Sequence, residues 1–328
     1  PALLLRRWER PLRRLFRQHL GASPIAVAQT RRVLFAKQLL HETRLSMTDV
    51  SFAAGFGSIR RFNHTFRRLY GRAPSELRRA SRRVGAAPAP IRLELPFAPP
   101  YDWPAMISFL AARAIPGVEV VEPERYRRTI ELDGEHGSVE VRPQPNALAV
   151  TIRFPRVSAL SAIVSRIRRV FDLGVDLRPI RTRLGEDPLL APLVVARPGL
   201  RVPGAWDGFE LAVRAILGQQ ITVAAARRLA GSLVARFGDP YRAAARTESD
   251  LSRVFPRPGR LARSNLRMLG LPGARAGALA ALAHATQQDQ RLLQPGRDLA
   301  SAVAALCEAP GIGAWTAHYV ALPAVREP

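Results

Sequence analysis

The residues best suited to do chemistry surround a short glycine-containing segment near the end of the chain. Pro310-Gly-Ile-Gly313 separates two helical patterns, which predicts a helix-hairpin-helix. Glycines permit a hairpin that is too tight for side chains. Backbone N–H groups at the start of the second helix then point outwards from a positive helix end, which favours phosphate binding. The alternative interpretation is an ordinary joint between two helices that contains glycines.

Two amide side chains earlier in the chain form a second candidate group. The pattern of residues 201–222 predicts a helix that ends at Gly218, followed directly by Gln219 and Gln220. Amides in this position either contact a ligand or form an exposed, capped joint, because they hydrogen-bond readily to nearby backbone. The spacing alone leaves both interpretations open.

The first quarter of the chain contains a predicted helix-turn-helix unit. Met47–Ala54 is a short amphipathic helix that Ser46 caps, and Ser58 caps a second helix from Ile59 to about Tyr70. Gly55-Phe-Gly57 makes the tight turn between them. The second helix of such a unit enters the DNA major groove with its N-terminal side chains towards the base edges. Its expected inner stripe is Phe62, Phe66 and Leu69.

The outer face of that second helix is basic. Arginine suits guanine and asparagine suits adenine, whereas arginines further along predict phosphate contacts. The residues predicted to read base edges are Ser58, Arg60, Arg61, Asn63 and His64. Those predicted to contact phosphates are Arg67, Arg68, Arg72, Arg78 and Arg79. The alternative is a pair of packed helices with a solvated basic face.

The charge balance favours a polyanionic partner. The 328 residues contain 50 Lys+Arg and 26 Asp+Glu, a net charge of +24. Residues 1–84 carry 19 basic and four acidic residues, a surplus of 15, and the rest of the chain carries a surplus of nine. Nucleic acid is the first expectation and an anionic membrane surface the second. Only Lys37 is a lysine, a bias that we attribute to genome composition.

The composition also excludes several classes of protein. One cysteine, Cys307, rules out an internal disulfide, a cysteine-rich zinc site and a four-cysteine iron–sulfur cluster. The sequence contains no apolar run of about 18 residues, so no transmembrane helix is predicted. The start, PALLLRRWERP, is too short and too basic for a signal peptide. We therefore expect a soluble cytoplasmic chain without metal or cofactor, with Cys307 buried in a helix.

Three units follow from the periodicity. They are the basic helical residues 1–84, an α+β block over residues 91–180 and an all-helical block over residues 184–328. A linker over residues 85–90 separates the first two units. The fold class is therefore mainly α with an antiparallel-sheet subdomain. In the α+β block, strands are predicted over 91–95, 126–132, 137–143 and 147–154, and helices over 105–115 and 158–171.

No spacing in the α+β block is typical of a catalytic site. His136 is expected in a turn over 133–137, and Trp103 and Phe109 are expected in the core. The acids Glu119, Glu122 and Glu124 predict a solvated face.

The basic block resembles a known family. The run Ala53-Ala-Gly-Phe-Gly-Ser-Ile-Arg-Arg-Phe-Asn-His-Thr-Phe-Arg-Arg68 and Tyr70-Gly-Arg-Ala-Pro-Ser-Glu-Leu-Arg78 are similar to the DNA-binding domain of AraC-type transcription regulators. That family has two helix-turn-helix units joined by a long helix, which Arg31–His41 resembles. Leu12–Pro24 resembles the recognition half of the first unit. Pro1–Pro11 is not predicted to be the preceding helix, so we expect an incomplete first unit.

The chain from about Leu95 onwards resembles another family. The motifs are Tyr101-Asp-Trp103, Phe109-Leu-Ala-Ala-Arg113, Ala196-Arg-Pro-Gly-Leu-Arg201 and Gly311-Ile-Gly-Ala-Trp-Thr-Ala317. They are similar to AlkA-type 3-methyladenine DNA glycosylases II of the helix-hairpin-helix superfamily. The resemblance implies hydrolysis of the N-glycosidic bond of alkylated bases in double-stranded DNA. The α+β block then corresponds to the N-terminal subdomain of that family.

The resemblance assigns roles to individual residues. It implies a base pocket of Trp315, Tyr319, Gln219 and Phe109, in which aromatic faces attract a positively charged methylated purine. It implies phosphate binding by Gly311, Gly313 and Thr316, and a wedge at Gln220, where the family has an apolar residue. Trp315 stands where members with lyase activity have lysine, so the resemblance implies a monofunctional hydrolase without a Schiff base.

The same resemblance raises an expectation about catalysis. The family uses an aspartate beyond the hairpin, but Glu327 is the sole acid after Tyr319. We therefore expect this chain to stop before its catalytic residue and to lack most of its activity. Pro323 is unexpected in a helix that should continue.

The two halves together resemble bacterial adaptive-response proteins, which join a regulator to an alkylation-repair enzyme. The expected partners are alkylated DNA, a promoter site and the transcription machinery, in a nucleoid-associated protein. Two alternatives stay open: a transcription regulator that recognises damage without catalysis, and an inactive truncated fragment.

Overall fold

The computed structural model describes residues 2–77, 90–241, 250–294 and 297–325, and within them the side chains from residue 11 to residue 324. The chain divides into two compact units: residues 1–88 with 156–161, and residues 89–155 with 162–328. The expected combination of a mainly helical chain with an antiparallel sheet is confirmed. Arg78, Arg79, Glu327 and the predicted linker except Pro90 lie outside the described residues.

The first unit is helical over residues 2–77. Helix α1 corrects the prediction for residues 1–11, because residues 2–11 are helical and Pro11 lies inside the helix. A single proline removes one backbone hydrogen bond, while the leucines and arginines around it favour a helix. The helices are α1 (Ala2–Leu20), α2 (Pro24–Glu42), α3 (Met47–Ala53), α4 (Ile59–Tyr70) and α5 (Pro74–Leu77).

Helices α3 and α4 form the predicted helix-turn-helix. The Ser46 hydroxyl accepts the Asp49 N–H at 3.0 Å, and the Ser58 hydroxyl accepts the Arg61 N–H at 3.2 Å, so both caps are confirmed. Gly55 adopts φ +78 in the turn, where a side chain would be strained. The predicted boundaries therefore hold to within one residue.

The inner stripe of α4 differs from the prediction at one position. Phe62 and Phe66 are fully buried, but Leu69 is 43% exposed. Tyr70 takes the expected place of Leu69, because its ring stacks on Phe66 with centroids 5.2 Å apart. The Lys37 ammonium lies 5.3 Å from the centre of the Tyr70 ring.

A five-stranded antiparallel sheet organises the first half of the second unit. Its spatial order is β1-β5-β4-β3-β2. Asp133 and Gly134 both have positive φ and form the two-residue turn between β3 and β4. His136 therefore lies in β4, opposite Glu131, and not in a turn as predicted. The strands are β1 (Ile91–Pro96), β2 (Glu119–Glu122), β3 (Arg125–Leu132), β4 (Glu135–Pro143) and β5 (Ala147–Arg153).

Helices complete the second unit. Helix α6 (Trp103–Arg113) begins two residues before its predicted start, because Asp102 caps it by accepting the Ala105 N–H at 3.0 Å. Trp103 is buried as expected and stacks on Phe171. Helix α7 (Leu160–Val170) lies within the range predicted for it. The remaining helices are α8 (Leu177–Gly185), α9 (Ala191–Ala196), α10 (Gly208–Leu217), α11 (Val223–Phe237), α12 (Pro258–Ala262), α13 (Gly273–Gln288), α14 (Leu299–Cys307) and α15 (Ala314–Val325).

Helix α10 lies in the hydrophobic core of this helical region. Ala212, Val213, Ile216 and Leu217 are fully buried among residues from α11, α13, α14 and α15. Cys307 is exposed at the end of α14, which corrects the expectation of a buried thiol.

The cap of α4 gives a stability prediction. Ser58→Ala removes the hydroxyl that accepts the Arg61 N–H, and should lower the free energy of unfolding by about 1 kcal/mol. Ser75→Ala, at an exposed position of α5, is the control and should change it by less than about 0.5 kcal/mol. Urea denaturation followed by circular dichroism measures both, and equal effects would contradict the capping role.

Candidate functional site

A cleft of about 670 Å³ in the second unit brings together side chains from α6, α10, α11 and α15. Its residues come from segments that are far apart in sequence, and the helical core around α10 holds them together. Among its lining residues are Phe109, Arg113, Trp206, Gln219, Gln220, Trp315, Tyr319 and Leu322. All four residues predicted for the base pocket therefore line one cleft.

Trp315 and Tyr319 form an exposed aromatic pair on the first turns of α15. Their ring centroids lie 5.4 Å apart and their planes differ by 10°, as expected for stacked residues four positions apart on a helix. Trp315 is 78% exposed and Tyr319 is 44% exposed. Large aromatic faces are rarely left in water without a binding role. The pair offers a flat, electron-rich surface to a planar or positively charged ligand.

Phe109 forms another part of the cleft wall. It is 37% exposed, so the expectation of a core residue is wrong. The guanidinium of Arg113 lies 3.8 Å from the centre of its ring and donates to its carbonyl oxygen at 3.3 Å. A cation–π contact thus covers one ring face that the core would otherwise cover.

The Gln219–Gln220 turn is attached to the hairpin. The Gln219 amide nitrogen donates to the Gly311 carbonyl at 3.1 Å and lies 3.4 Å from the Thr316 hydroxyl. Arg275 on α13 donates to the Gln219 carbonyl at 2.7 Å. Gln220 has φ +57, a left-handed conformation that is costly for residues other than glycine. These bonds hold the turn in that conformation.

The hairpin has the predicted form. Gly311 has φ +83, and a Cβ atom there would lie 2.8 Å from the Cβ of Ala278, so only glycine fits. Gly313 has no such contact. Thr316 is buried, with its hydroxyl towards Gln219. The first N–H groups of α15 have no partner inside the helix, as in any helix start, which is the basis of the predicted phosphate site.

Four charged residues line the inner part of the cleft and form what we call the ionic quartet: Glu119, Arg128, Glu210 and Arg214. Arg128 on β3 donates to Glu210 at 2.7 Å and lies 3.8 Å from Glu119. Arg214 contacts Glu119 at 2.5 Å and Glu210 at 2.6 Å. The quartet joins the sheet to α10, because Glu119 and Arg128 lie on strands and their partners lie on α10. Arg214 also donates to the carbonyl of Arg113, the last residue of α6, at 2.7 Å.

Glu119 is buried, so the prediction of a solvated acidic face is wrong at this position. Its carboxylate accepts hydrogen bonds from the Tyr126 hydroxyl at 2.8 Å and the Ile115 N–H at 3.0 Å. Burial alone raises its pKa, but Arg214 and Arg128 outweigh that effect and lower the pKa to about 2. Burial beside Glu119 raises the pKa of the Tyr126 hydroxyl well above its usual value. Both groups therefore keep their charge states at neutral pH.

The sequence pattern does not predict the quartet, because Arg128 lies in a predicted strand and Glu119 in a predicted solvated face. The available signal was Glu210 and Arg214, an ion pair at positions i and i+4 on the otherwise apolar helix FELAVRAIL. A charged pair on a helix buried nearly all round requires further partners, because a buried charge without one is costly.

The first unit presents most of its predicted DNA-contacting residues on one helix. Arg60, Arg61, His64, Arg67, Arg68 and Arg72 are exposed, and Asn63 is partly buried. Two of the predicted residues have structural contacts. Ser58 caps α4, and Arg68 donates to the side chain of Gln29 on α2 at 2.6 Å. The roles assigned to all of them stay predictions.

Within the described ranges, no three His, Cys, Asp or Glu side chains are grouped so that they could hold a metal ion. Among the helices of the part of the chain that is described, none is long and apolar enough to cross a membrane.

Comparison with known proteins gives both halves a family. The model of the AlkA N-terminal domain matches residues 92–207, and a helix-turn-helix domain model matches residues 5–80. DNA-3-methyladenine glycosylase 2 of Escherichia coli is 36% identical over 230 residues, which cover 68% of this chain and 77% of that protein. The second unit thus has the fold and sequence of an AlkA-type helix-hairpin-helix DNA glycosylase. The chain belongs to the DNA-3-methyladenine glycosylase 2 family.

Two other similarities extend this result. A Mycobacterium tuberculosis protein described as "Probable bifunctional transcriptional activator/DNA repair enzyme AlkA" is 36% identical over 323 residues. The match covers 97% of this chain but only 64% of that protein, so the chain spans under two thirds of its length. The solved structure of a 3-methyladenine DNA-glycosylase from Archaeoglobus fulgidus matches with a TM-score of 0.59 and 25% identity, over 70% of this chain and 77% of that one.

The lowered pKa of Glu119 gives an acid-stability prediction. Glu119→Gln should lower the free energy of unfolding at pH 7 by about 3 kcal/mol, because Arg128 and Arg214 each lose a charged partner. A carboxylate whose folded pKa is lowered stabilises the fold above its ordinary pKa of 4.5, and loses that effect as pH falls towards about 2. The difference in the free energy of unfolding between the wild type and Glu119→Gln should therefore shrink as pH falls from 4.5 to about 2. Glu122→Gln, a partly exposed partner of Arg125, is the control; an equal and pH-dependent loss there would contradict the assignment.

The left-handed backbone of Gln220 gives a prediction of opposite sign. Gln220→Gly should raise the free energy of unfolding by about 1 kcal/mol, because glycine adopts a positive φ without strain. Gln38→Gly, inside helix α2, should lower it by a similar amount. Urea denaturation decides the matter, and destabilisation by both substitutions would show that position 220 stores no strain.

Proposed function

We propose that the second unit binds double-stranded DNA, accepts an alkylated base in the aromatic cleft, and serves the hydrolysis of its N-glycosidic bond. The observation that carries this proposal is the stacked, exposed pair of Trp315 and Tyr319 on the helix that follows the hairpin. A base inside a duplex cannot reach such a surface, so it has to be rotated out of the stack. The family membership of the chain supports the same conclusion.

The hairpin supplies the contact to the DNA backbone. The N–H groups of the first turn of α15, around Gly313 and Thr316, lie at a positive helix end and suit a phosphate. Gly311 allows the tight hairpin that precedes this turn, because a Cβ there would lie 2.8 Å from the Cβ of Ala278. Contacts of this kind do not depend on base sequence, which suits a protein that has to find a lesion anywhere.

The cleft supplies the preference for an alkylated base. A methylated purine carries positive charge, so stacking on Trp315 and Tyr319 favours it over a neutral base. Phe109 forms a further part of the wall, and Gln220, directly after Gln219, also lines the cleft. We assign Gln220 to the space that the rotated base leaves in the duplex.

The reaction breaks the bond between the base nitrogen and C1′ of the sugar. The base leaves with the bonding electrons, and water adds to C1′ and releases a proton. Among the described residues, the carboxylates that line the cleft are Glu119, Asp207 and Glu210. Glu119 and Glu210 are paired with arginines, and Asp207 caps α10. We therefore propose that residues 1–328 alone hold and orient the base but hydrolyse it slowly.

The first unit, for which we propose the boundaries 1–84, supplies a sequence reader. Arg60, Arg61 and Arg67 of α4 are exposed, and the strongest positive surplus of the chain lies in this quarter. A helix-turn-helix with this surface suits a promoter site. The proposed linker 85–90 joins it to the subdomain 91–180 and the helical domain 184–328.

A second candidate function is recognition of damage by a transcription regulator without catalysis. The same observation that limits hydrolysis favours it, since Glu119, Asp207 and Glu210 are all engaged in structural contacts. Base binding without base release would then signal to the reader in the first unit.

One experiment separates these functions. Duplexes with one N7-methylguanine, or with guanine at the same position, are titrated with the full chain and followed by fluorescence anisotropy, and released base is quantified by chromatography. We expect the methylated duplex to bind more tightly. We expect Trp315→Ala to reduce the ratio of the two dissociation constants by about tenfold. Leu193→Ala, an exposed apolar position outside the cleft, is the control.

The outcomes have distinct meanings. Preferential binding with release of the base supports the enzyme, and preferential binding without release supports the damage-recognising regulator. Equal binding of both duplexes by the wild-type chain, or an unchanged preference in Trp315→Ala, would contradict the proposed cleft.

A further inference from the structure

The inner wall of the aromatic cleft consists of charged groups in unusual balance. The quartet contains two carboxylates and two guanidiniums, and every one of them contacts both members of opposite charge at 2.5 to 3.8 Å. The side chains of Glu119, Arg128 and Glu210 are only 3–7% exposed, whereas that of Arg214 is 22% exposed. Arg214 is thus the member that faces the open cleft.

The other charges that line the cleft act more weakly on a ligand inside it. Arg113 and Arg227 belong to partly or fully exposed residues, so water and salt screen them. Asp207 accepts two backbone N–H groups at the start of α10 and lies 3.7 Å from Arg166. Charges of buried groups are screened far less than those of exposed ones. The balance of the quartet therefore dominates the potential in the inner part of the cleft.

From this geometry we infer that the ionic quartet is a specificity-determining element: its charge balance sets how strongly the cleft prefers a cationic base over a neutral one. The inference rests on the proposed function, because it requires that a base enters the cleft. The aromatic pair favours a cationic base through its π faces, and the quartet adds a second contribution that depends on the sign of the ligand charge. Glu119, Arg128 and Glu210 act from behind the wall, and Arg214 acts at its surface.

Two substitutions should change the preference in opposite directions. Glu210→Gln leaves two guanidiniums and one carboxylate, a net positive wall that repels a cationic base. Arg214→Gln leaves two carboxylates and one guanidinium, a net negative wall that attracts it. Glu210→Gln keeps the side-chain length and Arg214→Gln shortens it by two bonds, and both new amides can still hydrogen-bond. A change of one buried charge near the ligand should alter the preference by about tenfold in each direction.

The double substitution separates charge from packing. Glu210→Gln with Arg214→Gln leaves Glu119 and Arg128, which are 3.8 Å apart and neutral together. The preference should return to within about threefold of the wild type. A purely structural role would shift the ratio of both single variants in the same direction, because each leaves a partner unpaired, so opposite shifts that cancel in the double variant are expected only from charge.

The test compares two modified duplexes with the full chain. One contains a single N7-methylguanine, which is a cation, and the other a single hypoxanthine, which is neutral. The readout is the ratio of the two dissociation constants from fluorescence anisotropy, since contacts to the DNA backbone cancel in it. Arg228→Gln, an exposed position on α11 outside the cleft lining, is the control and should leave the ratio unchanged. Circular dichroism establishes that each variant is folded.

Opposite shifts in the two single variants and recovery in the double variant support the inference. Shifts in the same direction, an unchanged ratio, or a double variant worse than either single one overturn it while the proposed function stands. If the wild-type chain binds neither modified duplex more tightly than an unmodified one, the proposed function and the inference fall together. If one single variant does not fold, the other decides: a shift in its stated direction supports the inference, and an unchanged ratio or a shift in the opposite direction overturns it.

Discussion

The contacts of Arg214 are the interaction on which the second unit depends. A buried guanidinium is stable only when its donors are paired, and this one contacts a strand, its own helix and the end of α6. Because α6 carries Phe109 and α10 leads into the Gln219–Gln220 turn, the same group fixes the relation between two walls of the cleft. Helix α15, which carries the aromatic pair, packs on α10 and completes the arrangement. The ionic contacts thus serve to define a geometry more than to add net stability.

The hairpin and the turn beside it form a second connected group. The Gln219 side chain bonds to the Gly311 carbonyl, and the Gln219 carbonyl is held by Arg275. The hairpin, for which we propose contact with the DNA backbone, and the turn that lines the cleft are therefore joined directly. Gln219 was expected to contact the lesion, and that role remains a prediction beside the structural contact that its amide makes.

Local features were predictable where one residue determines them. Ser46 and Ser58 identified the starts of α3 and α4, and the period of two identified four of the strands. Strand β2 does not follow from the sequence, because four residues with an acid at each end are typical of a loop. The helical start of the chain does not follow either, because Pro11 is unfavourable inside a helix. Cys307 and Phe109 were assigned to the core because residue type was the only guide to burial.

The site was predictable only in part, for a related reason. The aromatic pair and the glycines of the hairpin are close in sequence, and a resemblance to a known family was enough to identify them. The quartet joins residues from positions 119 to 214, and each member looks like an ordinary surface charge until its partners are known. Long-range pairs of this kind do not follow from local patterns, because tertiary packing brings them together.

The left-handed residue at the end of α10 has a consequence for how this surface can vary. The direction of the Cα–Cβ bond at position 220 is fixed by its backbone conformation and by the hydrogen bonds of Gln219, and not by the identity of the side chain at position 220. Side chains of different size and polarity can therefore be substituted at position 220 while the backbone keeps the direction of the Cα–Cβ bond unchanged.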